Sequence, residues 1–407
     1  MSVSPDIDAL LIALVGGLVI GASLTGSLCK RLGIPALVGQ ILLGIGLRIA
    51  DSRLGFLSET ALHALELLAI LGIVALLFDV GIKSNPRTLA EKLPDASLIW
   101  LGNVLVSGGL AFAGARWLLG QSLISSLLCA AALSATSVGI AVASWREADR
   151  LESSDGQLLV DVAELDDISA VALMAVLFAA LPALMSGNGA DWLMLGGEVG
   201  GFALRFGGFL ALCVLFTLYL EHHVTAFAQR MRLPPDRMLV VVGVGFLIAA
   251  LGGLLGFSLA VGALFAGLVF SRNPEAVRTE ASFDDIHAFV TPFFFIGIGL
   301  AIDPASLGGA IPLGAGLVVV AVVGKLLGTF LPALFVTSVG GAWLISLSMI
   351  PRAEIALVIF DRGRLLGPEV VGPELYSAAV LMTALLCAVT PLVLGPLLRR
   401  SDPGGQR

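Results

Sequence analysis

In the stretch Val160-Asp161-Val162-Ala163-Glu164-Leu165-Asp166-Asp167-Ile168-Ser169-Ala170, two adjacent aspartates, Asp166 and Asp167, stand directly before an almost unbroken apolar run, 171–184. Counted from Gln157, the pair lies about nine or ten residues into this segment, which at about 1.5 Å per helical residue is roughly half of a ~30 Å bilayer core. Carboxylates are costly at that depth and usually mark functional sites. Adjacent carboxylates also repel each other, so at least one is expected to hold a proton unless a cation is close.

The composition places this pair in a membrane protein. Of the 407 residues, 57% are hydrophobic and only 13% are charged, and the mean hydropathy is +1.00. Apolar runs of 18 or more residues recur along the chain, which is typical of transmembrane helices. We therefore predict an all-α polytopic membrane protein that contacts lipid. The first apolar helix has no Lys or Arg before it and no small-residue cleavage site after it, so we interpret it as a retained span.

Charge and cysteine content argue against several other classes of protein. The net charge of −7 and the lack of a basic cluster indicate no nucleic-acid partner. Four cysteines lie in or near apolar segments without CxxC spacing, so neither a disulfide framework nor a zinc site is expected. We expect no cofactor and no enzymatic activity.

Charged and Gly/Pro-rich breaks divide the apolar sequence into about thirteen predicted transmembrane helices. Most of the 23 Lys and Arg residues fall on one side if the N-terminus lies outside and the C-terminus is cytoplasmic, so we predict that orientation in a cell (inner) membrane. Residues 1–400 then form one transmembrane unit, and 401–407 form a short cytoplasmic tail. The predicted segments are 8–28, 35–49, 60–82, 95–119, 121–144, 156–185, 198–220, 237–253, 257–271, 286–302, 308–336, 338–361 and 373–398.

Lys325 lies near the middle of the eleventh predicted segment, too deep to reach the interface comfortably. We interpret it as a cation that faces a carboxylate across the helix bundle and that can lose its proton. The alternative is that the segment is set differently in the membrane and that Lys325 lies at an interface.

Two predicted segments carry features that interrupt a helix. In the fifth, Leu133-Ser134-Ala135-Thr136-Ser137-Val138-Gly139 combines small and hydroxyl residues, although Ser/Thr back-bonding in an intact helix would explain it equally well. In the twelfth, Pro351 removes an amide donor and is followed by Arg352 and Glu354. Breaks at corresponding places in two halves indicate a transporter site between inverted repeats. Segments 4–6 (about 95–185) and 11–13 (about 308–398) would be those repeats.

Asp161 and Glu164 lie one to two turns before the aspartate pair, toward the predicted inner end. They would form an acidic funnel that guides cations from the cytoplasm. A solvated helix entrance explains them equally well.

These motifs together resemble one family. The order of four motifs matches the monovalent cation:proton antiporter-2 family and is most similar to its NapA-type sodium/proton antiporters. The motifs are Ala135-Thr136-Ser137-Val138-Gly139-Ile140, Leu165-Asp166-Asp167-Ile168, Gly324-Lys325-Leu326-Leu327-Gly328 and Pro351-Arg352-Ala353-Glu354-Ile355.

The resemblance implies a thirteen-helix NhaA/NapA-like fold in a homodimer. A core domain, mainly segments 4–6 and 11–13, would move like an elevator against a dimer or scaffold domain made of the remaining helices. It also implies roles for individual residues. Asp167 would be the main ion and proton carrier, with Thr136 and Ser137 beside it, Asp166 would pair with Lys325, and Arg352 with Glu354 would stabilise the broken helix.

The expected function is Na⁺ or Li⁺ exchange for H⁺ in pH homeostasis, with Asp167 and Asp166 as the Na⁺ ligands. If Lys325 releases its proton when Na⁺ draws Asp166 away, two protons exchange for one ion and transport is electrogenic. Three alternatives remain: a K⁺/H⁺ antiporter of the same family, a sodium-coupled organic-anion symporter and a gated channel. Potassium-efflux relatives usually carry a Gln-Asp pair where this chain has Asp166-Asp167, so the resemblance disfavours that subgroup.

Overall fold

The computed structural model describes residues 5–83, 93–185, 192–230, 236–255, 259–271 and 282–400, and these are helical with short connections. We number the α-helices in chain order. They are α1 (Pro5–Arg31), α2 (Ala36–Leu54), α3 (Glu59–Lys83), α4 (Leu93–Gly102), α5 (Gly108–Ala113), α6 (Leu123–Ser134), α7 (Val138–Glu147), α8 (Ser154–Met185), α9 (Trp192–Leu215), α10 (Glu221–Arg230), α11 (Asp236–Leu254), α12 (Leu259–Val269), α13 (Ser282–Leu300), α14 (Leu307–Ala333), α15 (Val339–Ser348), α16 (Glu354–Leu365) and α17 (Pro373–Arg400).

The length and apolar composition of the helices agree with the predicted polytopic membrane protein. Within the described ranges, six helical stretches are long and apolar enough to cross a membrane, judged by length and composition alone. Helices in these ranges overlap every one of the predicted segments, and the all-α class is confirmed. The number of membrane spans stays a prediction.

Both predicted helix breaks are present. Helix α6 ends at Ser134 and α7 begins at Val138, so Ala135, Thr136 and Ser137 are not helical. Helix α15 ends at Ser348 and α16 begins at Glu354, which leaves 349–353 outside a helix. Because Pro351 has no N–H and disfavours a helical residue before it, this second break follows directly from the local sequence.

Sequence analysis did not predict the π-helical turns in the fourth segment. The π segment Asn103–Ser107 connects α4 to α5, and a second π turn, Gly114–Leu118, follows α5. Such turns widen the helix by one residue and change which side chains share a face. They depend on neighbouring helices, and this chain's first π segment lies against α14, as described below.

The chain divides into two compact units. Unit 1 comprises Met1–Val19, Leu57–Arg87 and Phe178–Gly297, and unit 2 comprises Ile20–Phe56, Thr88–Leu177 and Ile298–Arg407. Whether these units move as core and scaffold domains stays a prediction.

Unit 1 is built on close backbone contact between α3 and α12. A Cβ added at Gly81 would lie 2.2 Å from the Leu264 carbonyl oxygen, and one at Gly267 would lie 2.2 Å from the Phe78 carbonyl oxygen. Only glycine allows the two helices this separation, as in other membrane helix pairs. Phenylalanine rings surround the contact, with Phe78 and Phe270 packed edge to face at 6.2 Å.

Unit 2 holds the two broken helices and packs them on α8, α14 and α17. One apolar cluster of this unit contains Trp145, which is fully buried and donates from Nε1 to the Ser348 hydroxyl at 2.7 Å. This hydrogen bond joins α7, after the first break, to the end of α15, before the second break. This side-chain hydrogen bond therefore helps to hold the two breaks beside each other.

Candidate functional site

An ion pair lies at the centre of unit 2. The Asp166 carboxylate of α8 and the Lys325 ammonium of α14 are both fully buried, and Lys325 Nζ lies 3.1 Å from Asp166 Oδ2. The other carboxylate oxygen, Oδ1, accepts a hydrogen bond from Asn103 Nδ2 at 2.7 Å. A buried charge pair is tolerated when its remaining hydrogen-bonding capacity is also satisfied, and here both carboxylate oxygens have donors.

Lys325 also connects this pair to the first helix break. Its Nζ donates to the backbone carbonyl of Ser134, the last residue of α6. The carbonyls at the end of a helix have no partner in the helix, and a cation at that end is favourable. Because α6 stops at Ser134 instead of continuing, its carbonyl is available to Lys325.

The two breaks contact each other directly. Ser137 donates its backbone N–H to the Pro351 carbonyl at 2.9 Å, and the Thr136 hydroxyl donates to the Met349 carbonyl at 3.4 Å. Thr136 and Ser137 are buried. Carbonyl and hydroxyl oxygens thus cluster where the two non-helical segments meet, an arrangement suited to a cation that has lost its water shell.

Arg352 donates hydrogen bonds to backbone carbonyls at the second break, as Lys325 does at the first. The fully buried guanidinium donates from Nη1 to the carbonyls of Met349 and Ile350, which follow the end of α15. Among the residues that the structure describes, none is a hydrogen-bond partner of its Nε or Nη2. Two buried cations, one at each break, therefore satisfy backbone carbonyls that the broken helices leave free.

The structure brings together several residues that the sequence singled out and leaves others undescribed. Asp166 and Lys325 form the pair that the resemblance implied, and Thr136, Ser137 and Arg352 lie in the crossing breaks. Asp161 is partly buried in α8, before the pair. The side chains of Asp167, Glu164 and Glu354 lie outside the described residues, so the pairing of Arg352 with Glu354 and the acidic funnel stay predictions.

Asn103 is the site residue that sequence analysis missed. It is fully buried, and it contacts Asp166 through its amide nitrogen and the Thr329 hydroxyl, at 3.4 Å, through its oxygen. A signal was available, since Asn103 is a lone amide in the apolar run 98–106, at a depth where polar side chains usually have a function. The contact itself was not predictable, because 63 residues separate Asn103 from Asp166.

This arrangement can take up or release protons within a membrane-spanning unit. The ion pair carries no net charge, and a cation that attracts the carboxylate would compete with the ammonium for it. A lysine that loses its partner in a dry environment readily gives up its proton. The site therefore has the elements needed to couple a cation to a proton.

Comparison with known proteins agrees with this chemistry. The family model described as sodium/hydrogen exchanger, transmembrane, matches residues 17–400. The high-affinity Na⁺/H⁺ antiporter NhaS3 of Synechocystis sp. is 25% identical over 428 residues, covering 95% of this chain and 88% of the relative. The Na⁺/H⁺-K⁺ antiporter GerN of Bacillus cereus is 26% identical and covers 93% of each chain.

The fold is similar to a solved antiporter structure. The sodium proton antiporter MjNhaP1 from Methanocaldococcus jannaschii superposes with a TM-score of 0.68 at 16% identity, covering 96% of this chain and 98% of that one. This likeness supports the antiporter fold. With its family model matched over nearly the whole chain, this protein belongs to the transmembrane sodium/hydrogen exchanger family, whose members are transporters.

Proposed function

We propose that this protein exchanges Na⁺, or Li⁺, for protons across a cell membrane. The observation that carries the proposal is the buried Asp166–Lys325 pair beside two crossing helix breaks. A protein that only needed stability would gain little from a charge pair at this depth, since apolar residues of the same volume fold as well or better. A transporter of cations and protons needs groups that change charge there.

In this proposal Asp167 carries the ion and the proton in turn. Na⁺ binds the ionised carboxylate with Thr136, Ser137 and carbonyl oxygens of the breaks, and a proton displaces it. Because Asp167 cannot hold Na⁺ and a proton at the same time, binding of one releases the other, and the two are exchanged. Na⁺ is the cargo of this site rather than a resident cofactor.

Asp166 and Lys325 supply a second proton. When Na⁺ draws Asp166 away from Lys325, the ammonium loses its partner and releases a proton, and it is reprotonated when the ion leaves. Two protons then move for each Na⁺, so each cycle carries one net charge. We propose electrogenic transport for this reason.

The remaining features follow from family likeness and charge distribution. We propose a homodimer in the inner membrane, with the N-terminus outside and the C-terminus cytoplasmic. The segments 95–185 and 308–398 would carry the ion by an elevator movement against the other helices. Epitope accessibility at each terminus in intact and permeabilised cells tests the orientation.

The central experiment uses purified protein in liposomes with a pH dye inside. A proton gradient is imposed, and Na⁺, Li⁺, K⁺ or choline is added outside in turn. We expect a pH response to Na⁺ and Li⁺ that is absent in Asp167→Asn. Asp149→Asn is the matched control, because Asp149 is exposed and has φ 53°, a conformation that asparagine adopts well. No response to any cation between pH 6 and 9 would refute the proposal.

Two further outcomes of this experiment would change the proposed function. A response to K⁺ as large as that to Na⁺ would assign K⁺/H⁺ exchange to the same site, an outcome suggested by the likeness to GerN. Cation flux that needs an organic anion would assign a symporter.

A separate measurement tests whether transport is electrogenic. The Lys325→Gln variant should exchange Na⁺ for protons without generating a current on a solid-supported membrane. An unchanged current would refute the role of Lys325.

A further inference from the structure

Every backbone carbonyl of the second break, residues 349–353, accepts a hydrogen bond. The donors to all but one of these carbonyls belong to the two breaks or to α16, and they are Thr136, Ser137, Arg352 and Leu357. The exception is the carbonyl of Arg352, which accepts from the Cys387 thiol of α17 at 2.8 Å. Because backbone groups at membrane depth must be satisfied within the protein, the break depends on this thiol for one of its carbonyls.

Cys387 is fully buried at a point where several elements of unit 2 meet. It belongs to an apolar cluster with Val38 of α2, Ile140 of α7 and Ala353 of the second break, all of them buried. Since α7 follows the first break, this cluster contacts both broken helices. Packing thus fixes the Cys387 side chain, and its hydrogen bond fixes the Arg352 carbonyl.

The thiol holds the backbone of a residue whose side chain is also held. The Arg352 guanidinium donates to the carbonyls of Met349 and Ile350 at 3.1 and 3.0 Å. The preceding carbonyl, that of Pro351, accepts from the Ser137 N–H of the first break at 2.9 Å. Loss of the bond from α17 would leave the Arg352 carbonyl unsatisfied at membrane depth, which favours a rearrangement of the break.

We propose that Cys387 is a positioning residue for the second break. Its thiol ties the break to α17 and thereby keeps the carbonyls of the break against Thr136 and Ser137 of the first break. This inference rests on the proposed function, in which those carbonyls and hydroxyls surround the transported ion. Cys387 acts on the ion through the Arg352 carbonyl, without contacting the ion itself.

The test compares Cys387→Ala with Cys387→Ser in liposomes at one pH. The two replacements are close in volume and differ by a hydroxyl, so the difference between them reports on the donor. Cys387→Ala should raise the apparent KM for Na⁺ several-fold and change the maximal rate less, because ion binding loses its fixed carbonyls. Cys387→Ser should restore the KM of wild type, since the hydroxyl donates in place of the thiol.

Cys129→Ala is the matched control. Cys129 is also fully buried in unit 2, in α6, so the substitution removes the same sulfur atom from an apolar site. The donors to the second break are unchanged in this variant, so the unfolding temperature should fall while KM stays that of wild type.

Three results would overturn the proposal. They are a wild-type KM in folded Cys387→Ala, equal KM values in Cys387→Ala and Cys387→Ser, and an equal rise in KM for Cys129→Ala. If Cys387→Ala does not fold, Cys387→Val and Cys387→Thr decide in the same way, because valine and threonine have nearly the same shape and only threonine donates.

Hydrogen exchange separates this inference from the proposed function. In detergent without added cation, the Ser137 N–H should exchange with deuterium faster in Cys387→Ala than in wild type or Cys387→Ser, because its acceptor, the Pro351 carbonyl, is held less firmly. A role confined to the packing of α17 would leave exchange at Ser137 unchanged.

The two failures can therefore be told apart. If wild type transports no cation against protons but Ser137 shows the faster exchange, antiport fails and the role of Cys387 stands. Unchanged exchange at Ser137 in a folded Cys387→Ala protein would overturn the role of Cys387, whatever the KM.

Discussion

Ser137 donates its backbone N–H to the carbonyl of Pro351, so each broken helix supplies a partner for the other at 2.9 Å. Backbone groups at membrane depth must be satisfied within the protein, because lipid offers no hydrogen bonds. Lys325 and Arg352 satisfy further carbonyls at the two breaks. The cation-binding geometry proposed here therefore depends on backbone contacts that fix the crossing, in addition to the side chains near it.

Replacing Lys325 by Met should destabilise the protein. The variant leaves Asp166 buried without its cation, which costs about 3–5 kcal/mol when one member of a buried pair is removed. Thermal unfolding in detergent measures this loss.

The double variant Lys325→Met with Asp166→Leu is the control for that experiment. With both charges replaced by apolar groups, most of the lost stability should return. A single Lys325→Met variant with wild-type stability would contradict the pairing.

Thr136→Val should separate ion binding from stability. The hydroxyl makes a long contact of 3.4 Å with the Met349 carbonyl, so its loss should cost at most about 1 kcal/mol of unfolding free energy. If the hydroxyl ligates the transported ion, the apparent KM for Na⁺ should rise several-fold at constant pH, measured in liposomes.

Ser134→Ala is the control for Thr136→Val. The Ser134 hydroxyl donates to the Ala131 carbonyl in its own helix at 2.9 Å, so KM should be unchanged. An equal rise in KM for both variants would indicate a general disturbance of the break.

Trp145 and Ser348 should show an energetic coupling. Trp145→Phe removes the buried donor to Ser348, and Ser348→Ala leaves the indole N–H unpaired, so each should cost about 1–3 kcal/mol. In a double-mutant cycle the two losses should be less than additive by about 1 kcal/mol, as measured by unfolding in detergent. Full additivity would mean that this contact does not join α7 to α15.

Gly81→Ala should disrupt the contact between α3 and α12. The new methyl group would lie 2.2 Å from the Leu264 carbonyl oxygen, which forces the helices apart and should cost several kcal/mol. Gly243→Ala, in α11 of the same unit, is the matched control, because nothing lies within 4 Å of that Cβ. It should be neutral or slightly stabilising through helix propensity. Similar unfolding temperatures for the two variants would contradict the close contact.

The sequence determined the features that depend on neighbouring residues in the chain. Long apolar runs indicated membrane helices, Pro351 and the small and hydroxyl residues 134–137 indicated the two breaks, and charges at membrane depth indicated Asp166 and Lys325 as candidate site residues. Each of these follows from local chemistry, namely hydrophobicity, a missing amide donor and the cost of a buried charge.

Only the tertiary structure decided which groups meet. The Asp166–Lys325 pair joins residues 159 apart, and family likeness, rather than the residues themselves, named the partner of the lysine. The π turn and the contact of Asn103 with Asp166 had no local signal that gave their geometry, since they depend on how Gly324 and Gly328 let α14 approach. Hydrophobic periodicity specifies which residues avoid water, whereas side-chain pairing inside the bundle depends on the distance and rotation between helices.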